Sequence, residues 1–203
     1  MAATTQRLIV GISGASGVIY GVRALELLKG HGIETHLVMS RSAEVTLAYE
    51  TSLKVAGVQE LADVVHPIGD IGASISSGSF KTLGMLIAPC SIRTLSEIAS
   101  GVTSTLLTRA ADVVLKERRR LVLMVRETPL HLGHLRAMAA ATEMGAIMAP
   151  PIPAFYFGPE SVDDIINQSV GRSLDLFGIE LGVVKRWGEQ AANGRTRTRP
   201  RRK

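Results

Sequence analysis

Short apolar runs alternate along the chain with segments of helical period, and this alternation restricts the fold more than any other feature. Residues 8–13, 34–39, 82–88, 121–125 and 146–149 read as strands, and residues 64–79 as a short strand followed by a long Gly/Ser-rich loop. Residues 18–29, 43–51, about 92–100, 104–117, 131–144 and 162–177 read as helices, the first ended by Gly30 and Gly32. The strand runs are mostly apolar on successive residues rather than on every second one. Such strands must be covered on both faces, as in a parallel sheet with helices on either side. The expected fold class is therefore α/β, a doubly wound parallel sheet in a single domain, for which 203 residues supply a sufficient core. A loop as long as 64–79 in a compact domain points to function or movement.

The formal charge of +5 misleads. Residues 190–203 hold Arg195, Arg197, Arg199, Arg201, Arg202 and Lys203 with no acidic residue, leaving 17 basic (23 less 6) against 18 acidic residues in the remainder. The basicity belongs to a tail rather than to a face, so a disordered solvated tail is expected and nucleic acid is not. Residues 1–6 read as a disordered N-terminus and 7–189 as the folded domain. No apolar run approaches the roughly 18 residues of a membrane span, so no membrane partner is expected. Residues 1–6 lack the charged and apolar parts of a signal peptide. The lone Cys90 fits a reducing cytoplasm.

Ligands of open α/β sheets bind beyond the carboxyl ends of the strands. At those positions stand Ser13-Gly14-Ala15-Ser16-Gly17, then Ser40, then Pro89-Cys90-Ser91-Ile92-Arg93-Thr94, then Arg126-Glu127-Thr128-Pro129. Four strands thus end in small hydroxyl residues, glycines or charges. The first loop is not a GxGxxG fingerprint, but a glycine-rich turn into a helix still offers backbone N–H groups to a phosphate. A dinucleotide enzyme needs an acidic residue at the end of the second strand. Ser40 stands there, which favours a mononucleotide such as FMN over NAD. Arg109 and Lys116 are two helical turns apart, hence on one face. His131 and His134 lack a third ligand of suitable spacing, so no metal is expected. Cys90 reads as a packing residue rather than a nucleophile.

Five segments together carry a family likeness. They are Gly14-Ala15-Ser16-Gly17, Pro89-Cys90-Ser91-x-x-Thr94-Leu95, Arg109-Ala110-Ala111-Asp112-Val113-x-Leu115-Lys116-Glu117-Arg118-Arg119, Leu121-Val122-Leu123-x-x-Arg126-Glu127-x-Pro129 and Arg186-Trp187-Gly188-Glu189. In these the chain resembles the UbiX-type flavin prenyltransferases, over roughly residues 7–189. The resemblance implies a flavodoxin-like (Rossmann-like) fold and a homododecamer with active sites at subunit junctions. It implies metal-independent transfer of a dimethylallyl group from dimethylallyl phosphate to N5 and C6 of reduced FMN, the product going to a UbiD-type decarboxylase. It places Gly14, Ala15, Ser16, Ser40, Ser91, Ile92, Arg93, Thr94 and Arg126 against FMN. Arg109, Lys116, Tyr156 and Arg172 would grip the dimethylallyl phosphate. Ser16, Glu50, Lys116, Glu127 and Trp187 would act in the chemistry, with Trp187 near the prenyl group.

Taken without the resemblance, Glu50 reads as a solvated helix-end charge, Arg172 as a surface arginine, Tyr156 as a packing residue and Trp187 as a C-terminal anchor. Three other functions compete, the first a flavin-dependent decarboxylase of aromatic acids. Cysteine-peptide decarboxylases of similar fold use a histidine after the second strand, and Arg41 to Tyr49 contains none. A plain electron carrier has no need of Arg109, Lys116, Arg126 and Arg172.

Overall fold

The computed structural model describes residues 5–188. Six strands run parallel: β1 (Gln6–Ile12), β2 (Ile33–Met39), β3 (Val64–His66), β4 (Gly84–Cys90), β5 (Arg120–Val125) and β6 (Ala146–Met148). Their order in the sheet is β3-β2-β1-β4-β5-β6, a doubly wound order that reverses between β1 and β4. The connecting helices are α1 (Ile19–Leu28), α2 (Arg41–Glu50), α3 (Val55–Gln59), α4 (Ile92–Ala99), α5 (Leu106–Lys116), α6 (Leu132–Glu143) and α7 (Val162–Asp175).

The two-sided strands fill two cores. Leu8, Val10 and Ile12 face one way, with Leu25 and Leu28 of α1 and Val170 and Leu174 of α7. Ile9, Met85 and Ile87 face the other, with Leu95 of α4, Leu107 and Ala111 of α5 and Ala141 of α6. Helix α1 lies so close to β4 that a Cβ on Gly21 would come within 2.3 Å of the Ala88 carbonyl oxygen. Only glycine permits that approach.

Every expected strand and helix is present, with shifted ends. β1 begins at Gln6, inside the segment 1–6 read as a disordered N-terminus. β4 does not stop before Pro89 but runs to Cys90. Its pairing with β5 shifts register between Ile87 and Cys90, which accommodates a residue without an N–H in a central strand. Helix α3 was not expected, and the 64–79 loop contains a 3-10 turn at Ser74–Ser76. Residues 1–4, Glu189 and the basic segment 190–203 lie outside the described residues.

Beneath that loop, three neighbouring strands share a polar chain. Arg7 Nε donates to Glu34 Oε1 (2.6 Å), the same oxygen meets His36 Nε2 (2.8 Å), and His36 Nδ1 meets His66 Nε2 (2.9 Å). Both imidazoles are buried, and Phe80 closes on His36 edge-on at 5.0 Å. Burial and then the neighbouring His36 push the His66 imidazole below its ordinary 6.5, against the opposing pull of Asp70. The folded state therefore binds this proton less tightly than the unfolded chain. The contribution to stability is complete above about pH 6.5 and falls as pH drops below it. We expect the melting temperature to fall between pH 6.5 and 5, and the fall to flatten in His66→Gln. A slope identical in wild type and variant, read by calorimetry, would place its origin elsewhere.

Candidate active site

The turns at the carboxyl edge of the sheet are tied together by one buried hydroxyl. Ser13 Oγ donates to the Pro89 carbonyl (2.9 Å) and accepts from the Ser91 N–H (2.7 Å). The turn after β1 and the turn after β4 are thereby fixed to each other across the point where strand order reverses. Ser40 and Ser91 each cap a helix: Ser40 Oγ accepts from Ala43 N–H (3.1 Å) and Ser91 Oγ from Thr94 N–H (3.2 Å). The first turns of α2 and α4 thus present N–H groups and a positive helix end at this edge, a favourable place for an anion. Gly14 packs beneath α2 so tightly that a Cβ would lie 2.2 Å from that of Ser42.

The remaining groups here have little internal occupation. Ser16 is exposed, and its hydroxyl makes no hydrogen bond among the described residues. The exposed Arg126 guanidinium has no hydrogen bond or ion pair among them either, though its charge reaches Tyr20, whose phenol burial pushes above its ordinary value. Glu127 is exposed and, among the described residues, accepts only from its neighbour, the Thr128 N–H (3.0 Å). Glu50 is exposed at the end of α2, as its position suggests, but it also has a structural task. Its Oε2 accepts from Gly17 N–H (2.8 Å) and Val18 N–H (3.2 Å), placing a carboxylate on the start of α1.

This donor set fits a flavin mononucleotide. Two capped helix ends and an unpaired arginine suit one phosphate, and the absent side chain of Gly14 lets the first turn of α2 close on the turn after β1. No acidic residue stands after β2 for a second ribose, and Glu34 is turned to Arg7 and His36. Of the expected flavin contacts, Gly14, Ala15, Ser16, Ser40, Ser91, Ile92, Thr94 and Arg126 meet at this edge. Arg93 belongs there through its backbone only, because its guanidinium turns along α4 to Glu97 (3.0 Å). Cys90 is completely buried, and burial holds its thiol protonated far above its ordinary range, as befits packing.

Two further groups stand apart from the cradle. Lys116 ends α5 at the opposite edge, beside Gly78, with Nζ 2.5 Å from Glu117 Oε1. Arg109, two turns earlier, pairs with Asp112 (2.8 Å). Asp112 and Lys116 line an open cleft of about 550 Å³ bounded by α4, α5 and the end of α6. Lys116 and Glu127 flank the two ends of β5, roughly 20 Å apart at about 3.3 Å per strand residue. The third group gathers Tyr156, Arg172 and Trp187. The Tyr156 and Trp187 rings meet edge to face at 5.4 Å, and Arg172 pairs with Asp175 (2.8 Å) beside a smaller cleft of about 220 Å³.

Ser13, placed by the sequence at the end of the first strand, proves to be the staple of the cradle. Sequence reasoning passed over two residues that the structure brings forward. Tyr20 lies within reach of the Arg126 charge, and Gln168 joins Tyr156 to the C-terminal segment. Neither carries a sequence signal. Among the described residues no cluster of three or more His, Cys, Asp or Glu could hold a metal ion, and no helix is long and apolar enough to cross a membrane.

Comparison with known proteins bears directly on this arrangement. The Flavoprotein family model matches residues 2–172. The flavin prenyltransferase UbiX of Escherichia coli strain K12 is 64% identical over 185 residues, covering 90% of this chain and 98% of that protein. The crystal structure of AnUbiX in complex with FMN and dimethylallyl pyrophosphate matches with a TM-score of 0.89 and 50% identity, over 90% of this chain and 97% of that one. A dodecameric FMN-dependent UbiX-like decarboxylase from E. coli O157:H7 matches with a TM-score of 0.87 and 50% identity, over 90% and 99% of the two chains. A doubly wound parallel sheet, helix ends suited to a phosphate at its carboxyl edge and this degree of identity agree: the chain belongs to the Flavoprotein family and, within it, to the UbiX-type flavin prenyltransferases.

Proposed function

We propose that this chain transfers a dimethylallyl group from dimethylallyl phosphate to N5 and C6 of reduced FMN, in the cytoplasm, and that the prenylated flavin serves a UbiD-type decarboxylase. The observation that carries the reading is the division of labour in the chain. One edge offers a cradle for a flavin mononucleotide, while separate groups offer cations and an aromatic face for an allylic phosphate. A plain electron carrier would leave those separate groups without a task.

Reduced FMN supplies the electron-rich N5 and C6 positions to which the new carbon bonds form. The protein has three tasks around them. First, the N–H groups at the starts of α2 and α4, with Arg126, would hold the flavin phosphate and orient the ring. Ser16 would lie along its reacting edge. Second, the allylic C–O bond breaks and its electron pair leaves with phosphate. Lys116, Arg109, Arg172 and the Tyr156 hydroxyl would carry that charge by charge-assisted hydrogen bonds. The Trp187 face would lie against the allylic cation. Third, Glu50 and Glu127 would take up and return the protons at N5 and C6.

The cradle and the Lys116 edge are too far apart to serve one small molecule within one chain. A closed homo-oligomer that brings the edge of one copy to the cradle of another removes the difficulty. A homododecamer is our reading for this protein. The exposed Val45, Tyr49, Leu53, Leu132, Ile152 and Phe155 would be covered in it.

Anaerobic incubation with reduced FMN and dimethylallyl phosphate, without added metal, is expected to give a flavin heavier by one C5 prenyl unit, together with free phosphate. Unchanged flavin mass under those conditions would sink the assignment.

A further inference from the structure

Gln168 lies on α7 one turn before Arg172 and is only 3% exposed. Both of its N–H donors and its carbonyl are engaged with segments distant in sequence. Nε2 donates to the Tyr156 hydroxyl (2.9 Å) and to the Lys185 carbonyl (3.1 Å), and Oε1 accepts from the Lys185 N–H (2.9 Å). The Tyr156 hydroxyl in turn donates to that same Lys185 carbonyl (3.1 Å). The side chain thus imitates a strand neighbour toward Lys185 and uses its second N–H to set the direction of the tyrosine O–H. Two residues beyond Lys185 stands Trp187, whose ring meets the Tyr156 ring edge to face. Two turns further along α7, Asp175 takes two N–H groups of Arg186 (2.9 and 3.1 Å) as well as Arg172. Between these two ties Gly171 leaves room for the segment, since a Cβ there would lie 2.6 Å from Val184 Cγ2 and 2.8 Å from Val183 Cγ2.

We propose that Gln168 is a positioning residue for the prenyl donor: it fixes the Tyr156 hydroxyl and, through Lys185, the placement of Trp187. The proposal rests on reading Tyr156, Arg172 and Trp187 as the donor's subsite. The physical reason is economy of freedom. Trp187 is 74% exposed and its ring leans on that of Tyr156, so its placement depends on how Tyr156 and the Lys185 backbone are held. A buried amide with both donors and its acceptor satisfied holds both, because releasing it would strand polar groups away from water. With Gln168 in place, Tyr156 keeps a fixed position, and its O–H can turn to the arriving donor phosphate because the Lys185 carbonyl still accepts from Gln168.

The test uses full-length protein and the single tryptophan of the chain as its own reporter. In Gln168→Met, which keeps volume and removes every bond, Trp187 fluorescence anisotropy should drop before any substrate is added. KM for dimethylallyl phosphate should rise about tenfold, the scale of one loosened polar contact, with FMN affinity unchanged. In a Tyr156→Phe background the same substitution should raise KM by only about twofold, because acting through a shared partner makes the effects non-additive. Gln168→Glu, which retains the acceptor for Lys185 N–H but loses the N–H to Tyr156, provides a second variant should the methionine protein fold poorly. It should show the KM effect with a smaller change in anisotropy. Wild-type anisotropy and KM in both variants, whatever their melting temperatures, would overturn the proposal, as would full additivity with Tyr156→Phe. Reduced anisotropy with an unchanged KM would overturn the donor role and leave Gln168 a tie only. If wild-type protein transferred no prenyl group, the reading of the site would fall, while the anisotropy would still decide whether Gln168 holds Trp187.

Discussion

Lys116→Ala should lower prenyl transfer about a hundredfold or more while FMN stays bound, the usual scale for removing one preorganised donor from developing transition-state charge. Arg172→Ala should behave alike. Both side chains lie away from the carboxyl-edge cradle, Lys116 beside Gly78 and Arg172 on α7 next to Asp175. Neither has a part in holding flavin within its own chain. Single-turnover mass spectrometry of the flavin, beside a flavin-binding titration, separates the two quantities. Wild-type turnover in either variant, or loss of flavin binding with activity, contradicts the assignment. The geometry adds a sharper outcome. Since β5 separates Lys116 from Glu127, a site that needs both takes them from different copies. Mixed oligomers of Lys116→Ala and Glu127→Gln subunits should then recover activity at about a quarter of their sites, by random mixing in a closed symmetric assembly. A site built from one chain would recover nothing.

Trp187→Ala should slow the chemical step by roughly thirtyfold, and Trp187→Phe by less. A cation over a desolvated indole face gains about 2 kcal/mol, which becomes a rate effect of that size if the contact is made only in the transition state. Phenylalanine keeps a weaker face. The competing role, an anchor for the C-terminal segment, finds little support in the fold. Trp187 is 74% exposed, and the segment is held instead by Gln168 on Lys185 and Asp175 on Arg186. Loss of the indole should therefore leave the melting temperature nearly unchanged. A destabilised Trp187→Ala protein with unchanged single-turnover flavin spectra would restore the anchor role.

The parts of this fold that were legible in sequence share a physical cause. Strands such as β1 and β5 are buried on both faces, so nearly every residue is apolar and the run stands out. Helix α3 did not stand out because five residues cannot display a helical period, and its N-cap Lys54 offers no capping side chain. The end of β4 was misplaced because proline usually stops a central strand, and only the shift in register shows how this one continues. The cradle was legible for a topological reason: in a parallel sheet, whatever follows an apolar strand arrives at the same edge. Gln168 was not. Its partners lie 12 and 17 residues away and meet it only when the segment after β6 and the C-terminal segment fold back onto α7. Likewise, Glu50 as a cap for α1 required knowing that α2 lies across the start of another helix.

The Ser13 hydroxyl, held between the Pro89 carbonyl and the Ser91 N–H, gives the flavin turns their shape before any ligand arrives. A cradle ordered in advance charges its guest little conformational entropy on entry and returns little on departure. That suits an enzyme for which flavin is a reactant. A resident cofactor can be gripped by loops that fold around it, since it never has to leave. A flavin that is altered and then handed on must dissociate every cycle, and closure of those loops would make each release a local unfolding event. The staple lets affinity be set by a few phosphate and ring contacts alone, so that the modified flavin can exchange for the next at the pace of those contacts.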